Sequence, residues 1–380
     1  MSTREILSEL IAAPTISRTD NIALMDGLAD RLERTGARVT RVPYVEGREN
    51  LYAVLGPEDV PAVVLSGHTD VVPVEGQAWT KPPFELTEEG GKLYGRGTTD
   101  MKGFVAAATA AMERAAGREL TAPLAVAFSC DEEVGCLGVR PLASMLADAP
   151  VNPRLVIVGE PTNLVVATGH KGKTALRATF TGREVHSALA PNGLNALHLA
   201  ADFLTSLRAR QRLIAETGPR DGDYDVPYTT LHAGKLEGGI ALNIVPSRAV
   251  LDFEIRALAE DDMGVIIQAM REDAAKIVAE TGDPDAGIAI EEVFSYPGLA
   301  SENPSDAVDF VKGLTGANST IKVAFGTEGG IFAEAVGAPV VVCGPGSMTE
   351  GHRPDEFVAI EQLERCDAML DALIDRLAAR

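Results

Sequence analysis

Five short stretches of this sequence set histidine and carboxylate side chains beside apolar runs. VVLSGHTD puts His68 and Asp70 just past an apolar strand. GRGTTDMKG puts Asp100 in a glycine-rich loop that opens a helix. LAVAFSCDEEVG puts Asp131, Glu132 and Glu133 past a second strand, and LVIVGEPT puts Glu160 past a third. GPGSMTEGHRPDE carries His352 directly after the strand at Val340 to Val342. In open α/β sheets, ligands bind in the crevice beyond the carboxyl ends of the strands. A single acidic residue there is an ordinary turn or helix cap. Several clusters converging on one edge crowd their carboxylates, and the repulsion calls for cations. Mixed imidazole and carboxylate donors point to zinc, manganese or cobalt, ahead of calcium or magnesium. Of the six histidines, His198 falls on an amphipathic helix and His232 within a strand, where histidine is ordinarily structural. His352 is the best-placed histidine in the C-terminal part to serve as a second imidazole ligand.

The surrounding sequence must bring those strand ends together. Ser2-x-x-Glu5 reads as a capping box, with Ile6, Leu7, Leu10 and Ile11 following at helical spacing. A second helix runs through Ile22, Met25, Leu28 and Leu32 and stops at Gly36. Short β-rich runs then alternate with helical ones. The strands are Val39 to Val42, Leu51 to Leu55, Val63 to Leu65, Leu124 to Phe128 and Leu155 to Val158; the helices are Met101 to Ala116 and Pro141 to Ala147. This alternation predicts an α/β domain around a mixed, mostly parallel sheet with helices on both faces. Near residue 171 the pattern changes to strand, helix, strand, strand, helix, strand, the ferredoxin-like order. The strands are Lys173 to Phe180, Tyr228 to Leu236, Ala249 to Ile255 and Ile288 to Phe294; the helices are Leu194 to Arg210 and Met263 to Val278. An inserted α+β domain at 171–295 is expected, inside a catalytic domain made of 1–170 and 296–380. The latter closes with a helix from Ser305 to Leu314, a strand from Ala338 to Val342 and a helix from Ile360 to Leu377.

Bulk properties narrow the function. The chain has 380 residues, 46% hydrophobic and 23% charged, which suits two globular domains. A net charge of −21, with no basic run, argues against nucleic acid as a partner. Cys130, Cys136, Cys343 and Cys366 form no CxxC pair and read mostly as small core residues, so disulfides are not expected. The N-terminus has no apolar leader segment, and no uncharged apolar stretch has membrane-spanning length. These features together imply a cytoplasmic location. No GxxxxGK[ST] phosphate loop is present, and no GxSxG elbow surrounds Ser187.

The phrases GHTDVVPV, WTKPPF, GRGTTDMKGF, DEEVG, GEPT, VHS, NIVP and GPGSMTEGHRPDE, in this order, resemble the zinc metallopeptidase family of aminoacylases. That family also holds acetylornithine deacetylases, succinyl-diaminopimelate desuccinylases and carboxypeptidase G, and the likeness spans essentially the whole chain. GHKGK, REVHSALAPNGLNA, FGTEGG and CGPGSMTEGHRPDEF are most similar to the acetylornithine deacetylase branch. The resemblance implies two divalent metal ions, zinc first with cobalt or manganese as alternatives. It implies that Asp100 bridges them, that His68 and Glu160 complete one site, and that Glu133 and His352 complete the other. It makes Glu132 the general base, and His186 an oxyanion donor that often reaches into a partner subunit's site. Asn243 and Arg256 are then the residues for the substrate α-carboxylate. Glu328 becomes a candidate for pairing with a cationic substrate side chain, or else a helix-start carboxylate. Asp70 stands two residues after His68; in an extended segment its carboxylate faces the imidazole and can accept its N–H.

The activity implied is hydrolysis of N-acetyl-L-ornithine to L-ornithine and acetate, a step of arginine biosynthesis, by a homodimer formed through the inserted domain. The neighbouring readings are a deacylase for another acyl group, a desuccinylase or a dipeptidase. A non-catalytic amino-acid-binding relative is the remote alternative, but such a protein need not keep Glu132 and five metal positions.

Overall fold

The computed structural model describes every residue except 150, 304 and 380. The described residues form two compact units. One comprises 1–169, 299–323 and the C-terminal stretch from Thr327; the other is His170–Gly298 with Ala324–Gly326.

The first unit is built on a nine-stranded sheet. Its path runs Arg38–Val45, Arg48–Leu55, Leu124–Ser129, Val63–His68, Leu155–Pro161, Val340–Gly344, Val166–His170, Leu299–Ala300, with Thr320–Val323 pairing on Val166–His170. The four strands from Leu124–Ser129 to Val340–Gly344 are mutually parallel, and the pairings flanking them are antiparallel. Every residue of those four strands is buried, as expected of aliphatic runs covered on both faces. Successive side chains point to opposite faces. Val63, Leu65, Val126, Phe128 and Ile157 join the core made with Thr3–Ala12, Lys102–Ala115 and Ile360–Leu377. The alternate residues, such as Val64, Val156 and Val158, are equally buried on the other face, where Val139–Ala147 and Gly329–Val336 pack on each other and on the sheet. The capping box at Ser2 and Glu5 is formed. Parallel strands all end on one edge, so His68, Ser129, Pro161 and Gly344 come out on the same side.

The helix Lys102–Ala115 lies close on the sheet because glycine leaves room for it. A Cβ on Gly159 would sit 2.0 Å from the Phe104 ring, and one on Gly67 would sit 2.9 Å from Met101 Cε. These glycines directly precede Glu160 and His68, so the same close approach sets the helix start that follows Asp100.

The second unit has a four-stranded antiparallel sheet in the order Thr230–Gly238, Arg248–Ala257, Gly172–Thr181, Gly287–Tyr296. Numbered along the unit, that is the 2-3-1-4 order of a ferredoxin-like fold. Leu176, Ala178 and Phe180 alternate inward and pack with Phe203 and Leu207 of Ala196–Thr217 and Met270 of Met263–Thr281. The unit runs slightly past the expected insert at 171–295 and includes Ala324–Gly326, where Gly326 closes on the Tyr296 ring. Among the described residues no helix is long and apolar enough to cross a membrane.

Gly159→Ala forces Phe104 or the helix to move. It is expected to cost about 1–3 kcal/mol, read as a lowered Tm with the fold retained. An unchanged Tm would show that the close approach is not a constraint.

Candidate metal centre

The parallel strands deliver most of the donors. His68 is the last residue of Val63–His68, Glu160 lies within Leu155–Pro161, and Glu132 and Glu133 follow Leu124–Ser129. His352 stands in the loop after Val340–Gly344, and Asp100 precedes Lys102–Ala115. Asp100 is the meeting point. His68 Nε2 is 3.1 Å from Asp100 Oδ1, while His352 Nε2 is 3.0 Å from Asp100 Oδ2. His68 Nε2 also lies 3.7 Å from Glu160 Oε1, and His352 Nε2 lies 3.0 Å from Glu133 Oε1. Donor atoms of His68, Glu132 and Glu160 fall within 4.8 Å of one another, as do those of His68, Asp100 and Glu133. The structure thus gathers all five expected ligand positions, with Glu132 beside them.

The electrostatics of this cluster follow from burying several carboxylates side by side. Burial pushes Glu132 up to about 8 and Glu133 up to about 7, the latter helped by the charge on Asp100. Glu160 is raised well above the carboxylate range, by burial first and then by Asp100. Burial opposes a charge on His68, yet Asp100 and Glu160 hold its imidazole well above the usual range. Hydrogen bonds to Asp100 and Glu133 lift His352 to about 10. Glu160 Oε2 is buried and has no hydrogen-bond partner. A buried oxygen without a donor is costly, and a divalent ion would satisfy it. The donor set of two imidazoles and several carboxylates therefore fits metal, zinc, cobalt or manganese by donor type.

Around the donors lies a supporting layer. Asp70 turns its backbone carbonyl to His68 Nδ1 at 2.9 Å, with its carboxylate Oδ1 at 3.6 Å. The carboxylate is engaged at the neighbouring strand end, accepting from the Glu132 and Glu133 amides at 3.0 and 3.3 Å and from the Ser17 hydroxyl at 2.7 Å. One residue therefore orients the His68 imidazole and fixes the backbone of both glutamates. Glu356, which the sequence did not single out, does the same for Asp100. It is 1% exposed, and its Oε1 accepts the amides of Gly97, Thr99 and Asp100 at 3.0–3.1 Å. Its Oε2 accepts from Arg96 Nη1 at 2.6 Å; Arg96 Nη2 donates to Gln77 Oε1, also at 2.6 Å, and Gln77 Nε2 donates to the His352 carbonyl at 3.0 Å. Trp79 lies 5.0 Å from the Arg96 guanidinium. This chain gives the WTKPPF and GHRPDE phrases a physical reason. The signal available beforehand was the acidic residue ending the His352 loop.

Glu328 is 1% exposed. Its oxygens accept from the hydroxyls of Ser66 and Ser129, on two of the parallel strands, and burial raises it to about 7. The second unit holds the remaining expected residues. His186 is exposed at the start of the short helix Ser187–Asn192, and its Nδ1 accepts from the Ala188 amide at 3.1 Å. Asn243 is exposed, and its carbonyl accepts from the Ser187 amide at 2.9 Å. Arg256 donates to Glu254 at 3.0 Å and to the Tyr296 hydroxyl at 3.3 Å.

Known proteins share this chain's sequence pattern. The profile of peptidase family M20/M25/M40 matches residues 64–376, a span holding all five expected ligand positions. The chain belongs to that family. It is 34% identical to an acetylornithine deacetylase from Proteus mirabilis (strain HI4320), over 98% of this chain and 95% of that protein. A Myxococcus xanthus acetylornithine deacetylase is 33% identical, over 97% of this chain and 95% of its own length. In fold, the chain is similar to an M20 metallo-carboxypeptidase from Sulfolobus solfataricus, with TM-score 0.79, 18% identity and 98% of each chain covered. It is also similar to a dinuclear metal-binding M20 peptidase from Bacillus subtilis, with TM-score 0.67, 15% identity and 99% and 97% of the two chains covered. This M20-family chain is a hydrolase with candidate metal-binding groups of carboxylate and histidine.

The raised glutamates bind protons more tightly folded than unfolded. The metal-free fold therefore loses stability as pH rises from the ordinary glutamate range through about 7 for Glu133 and about 8 for Glu132. His352 loses its contribution over the upper part, between the ordinary imidazole range and about 10. The Tm of the metal-free protein should fall steadily between about pH 5 and pH 9, and added zinc should raise Tm and flatten the profile. A metal-free Tm that rises over this interval contradicts the crowding described here.

Proposed function

We propose that this protein hydrolyses the amide of N-acetyl-L-ornithine, releasing L-ornithine and acetate, as a cytoplasmic step of arginine biosynthesis. The observation that carries the reading is the near-full-length likeness to acetylornithine deacetylases, combined with the gathered donor set around Asp100. Four buried, unpaired cysteines accord with a reducing compartment. His68 and Glu160 would hold one ion, Glu133 and His352 the other, and Asp100 would offer one oxygen to each. Two such ions supply a polarised acyl carbonyl and a water of lowered pKa. Glu132 takes the proton from the water as its oxygen attacks the acyl carbon. It then delivers that proton to the amide nitrogen as the C–N bond breaks, giving acetate and the free amine. Asp70 keeps the Glu132 amide fixed while this happens. Arg256 is proposed to bind the substrate α-carboxylate with Asn243, and His186 to donate to the developing oxyanion.

A homodimer through the second unit is part of this proposal. Thr230–Gly238 is an edge strand of its sheet, and Leu189, Leu236, Ile240 and Leu242 are exposed in the same unit. An apolar group beside an open strand edge favours pairing with a second copy. Leu242→Asp should shift the protein from dimer to monomer in sedimentation velocity; a dimer that persists with unchanged affinity removes this surface from the interface.

Glu132→Ala should keep its bound metal yet lose about 10²–10⁴-fold in kcat; retained turnover removes Glu132 as the base. A panel of N-acetyl, N-succinyl and N-formyl amino acids with dipeptides, assayed with zinc or cobalt, reads specificity directly. N-acetylornithine should give the highest kcat/KM, and a dipeptide preference would overturn the substrate assignment. On the same panel, Glu328→Gln separates its two roles. A reader of the cationic chain raises KM for acetylornithine alone, whereas a buried support lowers turnover of all substrates alike.

A further inference from the structure

The candidate base is anchored on every side but one. Its N–H donates to Asp70 Oδ1 at 3.0 Å. Its carbonyl accepts from the amides of Gly135 and Cys136 at 2.9 and 2.7 Å, while Leu137 N–H donates to the Asp131 carbonyl at 3.1 Å. This closed turn follows Leu124–Ser129, with Asp131 at φ 53° and Cys136 at φ 52°. It places Cys136 four residues after Glu132 and directs the thiol back over the glutamate. Cys136 Sγ is 3.1 Å from Glu132 Oε1. An ionised carboxylate can only accept, so the thiol donates. Cys136 is 1% exposed and Glu132 8%, so water cannot freely substitute for that donor.

We infer that Cys136 is a positioning residue for the reaction: its thiol holds Oε1 of Glu132 and thereby presents the other oxygen to the proton in transit. The inference rests on the reading of Glu132 as the base. Asp70 and the turn fix where the backbone of Glu132 lies, but they leave its side-chain torsions free. The thiol is the one described group that hydrogen-bonds the carboxylate itself. A base that can swing loses alignment with both the attacking water and the leaving nitrogen, and a misplacement of about 1 Å costs up to about 100-fold in rate.

Four variants of the metal-loaded protein test this: Cys136→Ala, Cys136→Ser, Glu132→Ala and Glu132→Gln. Each is assayed for kcat, KM, bound metal per chain and Tm. Cys136→Ala is expected to lower kcat by about tenfold or more, with KM and metal content unchanged. Cys136→Ser, which keeps a donor at the same position, is expected to recover most of that loss. A Cys136→Ala protein with parental kcat beside inactive Glu132 variants overturns the inference and leaves the base standing. Equal losses in Cys136→Ala and Cys136→Ser, tracking Tm or metal content, also overturn it, because they mark a packing role. Turnover retained by both Glu132 variants overturns the base assignment, and this inference with it.

Discussion

Mutual repulsion among buried carboxylates is the constraint on which this molecule turns. Asp100, Glu132, Glu133 and Glu160 share one sheet edge with two imidazoles, and hydrogen bonds within the protein leave Glu160 Oε2 unanswered. The architecture follows from tolerating that crowding. Four parallel strands are needed to end together, and both faces must be covered so that the strands can be aliphatic throughout. Glycine is needed where Lys102–Ala115 presses on those strands. A second layer of side chains is then needed to hold groups that would otherwise move apart.

That second layer has a consistent logic. Asp70 and Glu356 are acidic residues that accept from backbone amides, Glu356 with its second oxygen on Arg96. Each sits behind a donor segment and accepts its N–H groups, so the donor side chain is aimed by its own main chain. Ser66 and Ser129 do the converse, supplying hydroxyls to a buried carboxylate, Glu328. Repulsive groups are thus held on rigid backbone, and few of them rely on another flexible side chain. His352 is the exception in exposure, half open to solvent while His68 is sealed.

Much of this was legible in the sequence, for identifiable reasons. Runs such as VVLS and LAVAFS are too apolar for a half-exposed strand, so the charged residues that end them had to lie at a sheet edge. The second unit's βαββαβ order was readable because its strands alternate and its helices carry long apolar stripes. Gly329–Val336 was missed, because two glycines open it and lower its helical signal. Val166–His170 was missed as well, a five-residue strand whose partners come from far along the chain. The supports were hardest to see. Glu356 meets Asp100 across 256 residues, and no local pattern encodes such a meeting. Cys136 was not singled out among the four cysteines because its partner is a functional group, and periodicity carries no record of that.

The pairing of Glu356 with the Asp100 loop also bears on how the centre forms. The loop lies in the first third of the sequence, while Glu356 meets it across 256 residues. Until that later segment docks, the amides of Gly97, Thr99 and Asp100 lack this acceptor, and Asp100 lacks its contact with His352. The cluster is therefore a late product of folding, closed by a contact that no local segment can make alone. Its geometry reports on the tertiary structure as a whole, and any change that loosens the docking of Glu356 loosens Asp100 with it.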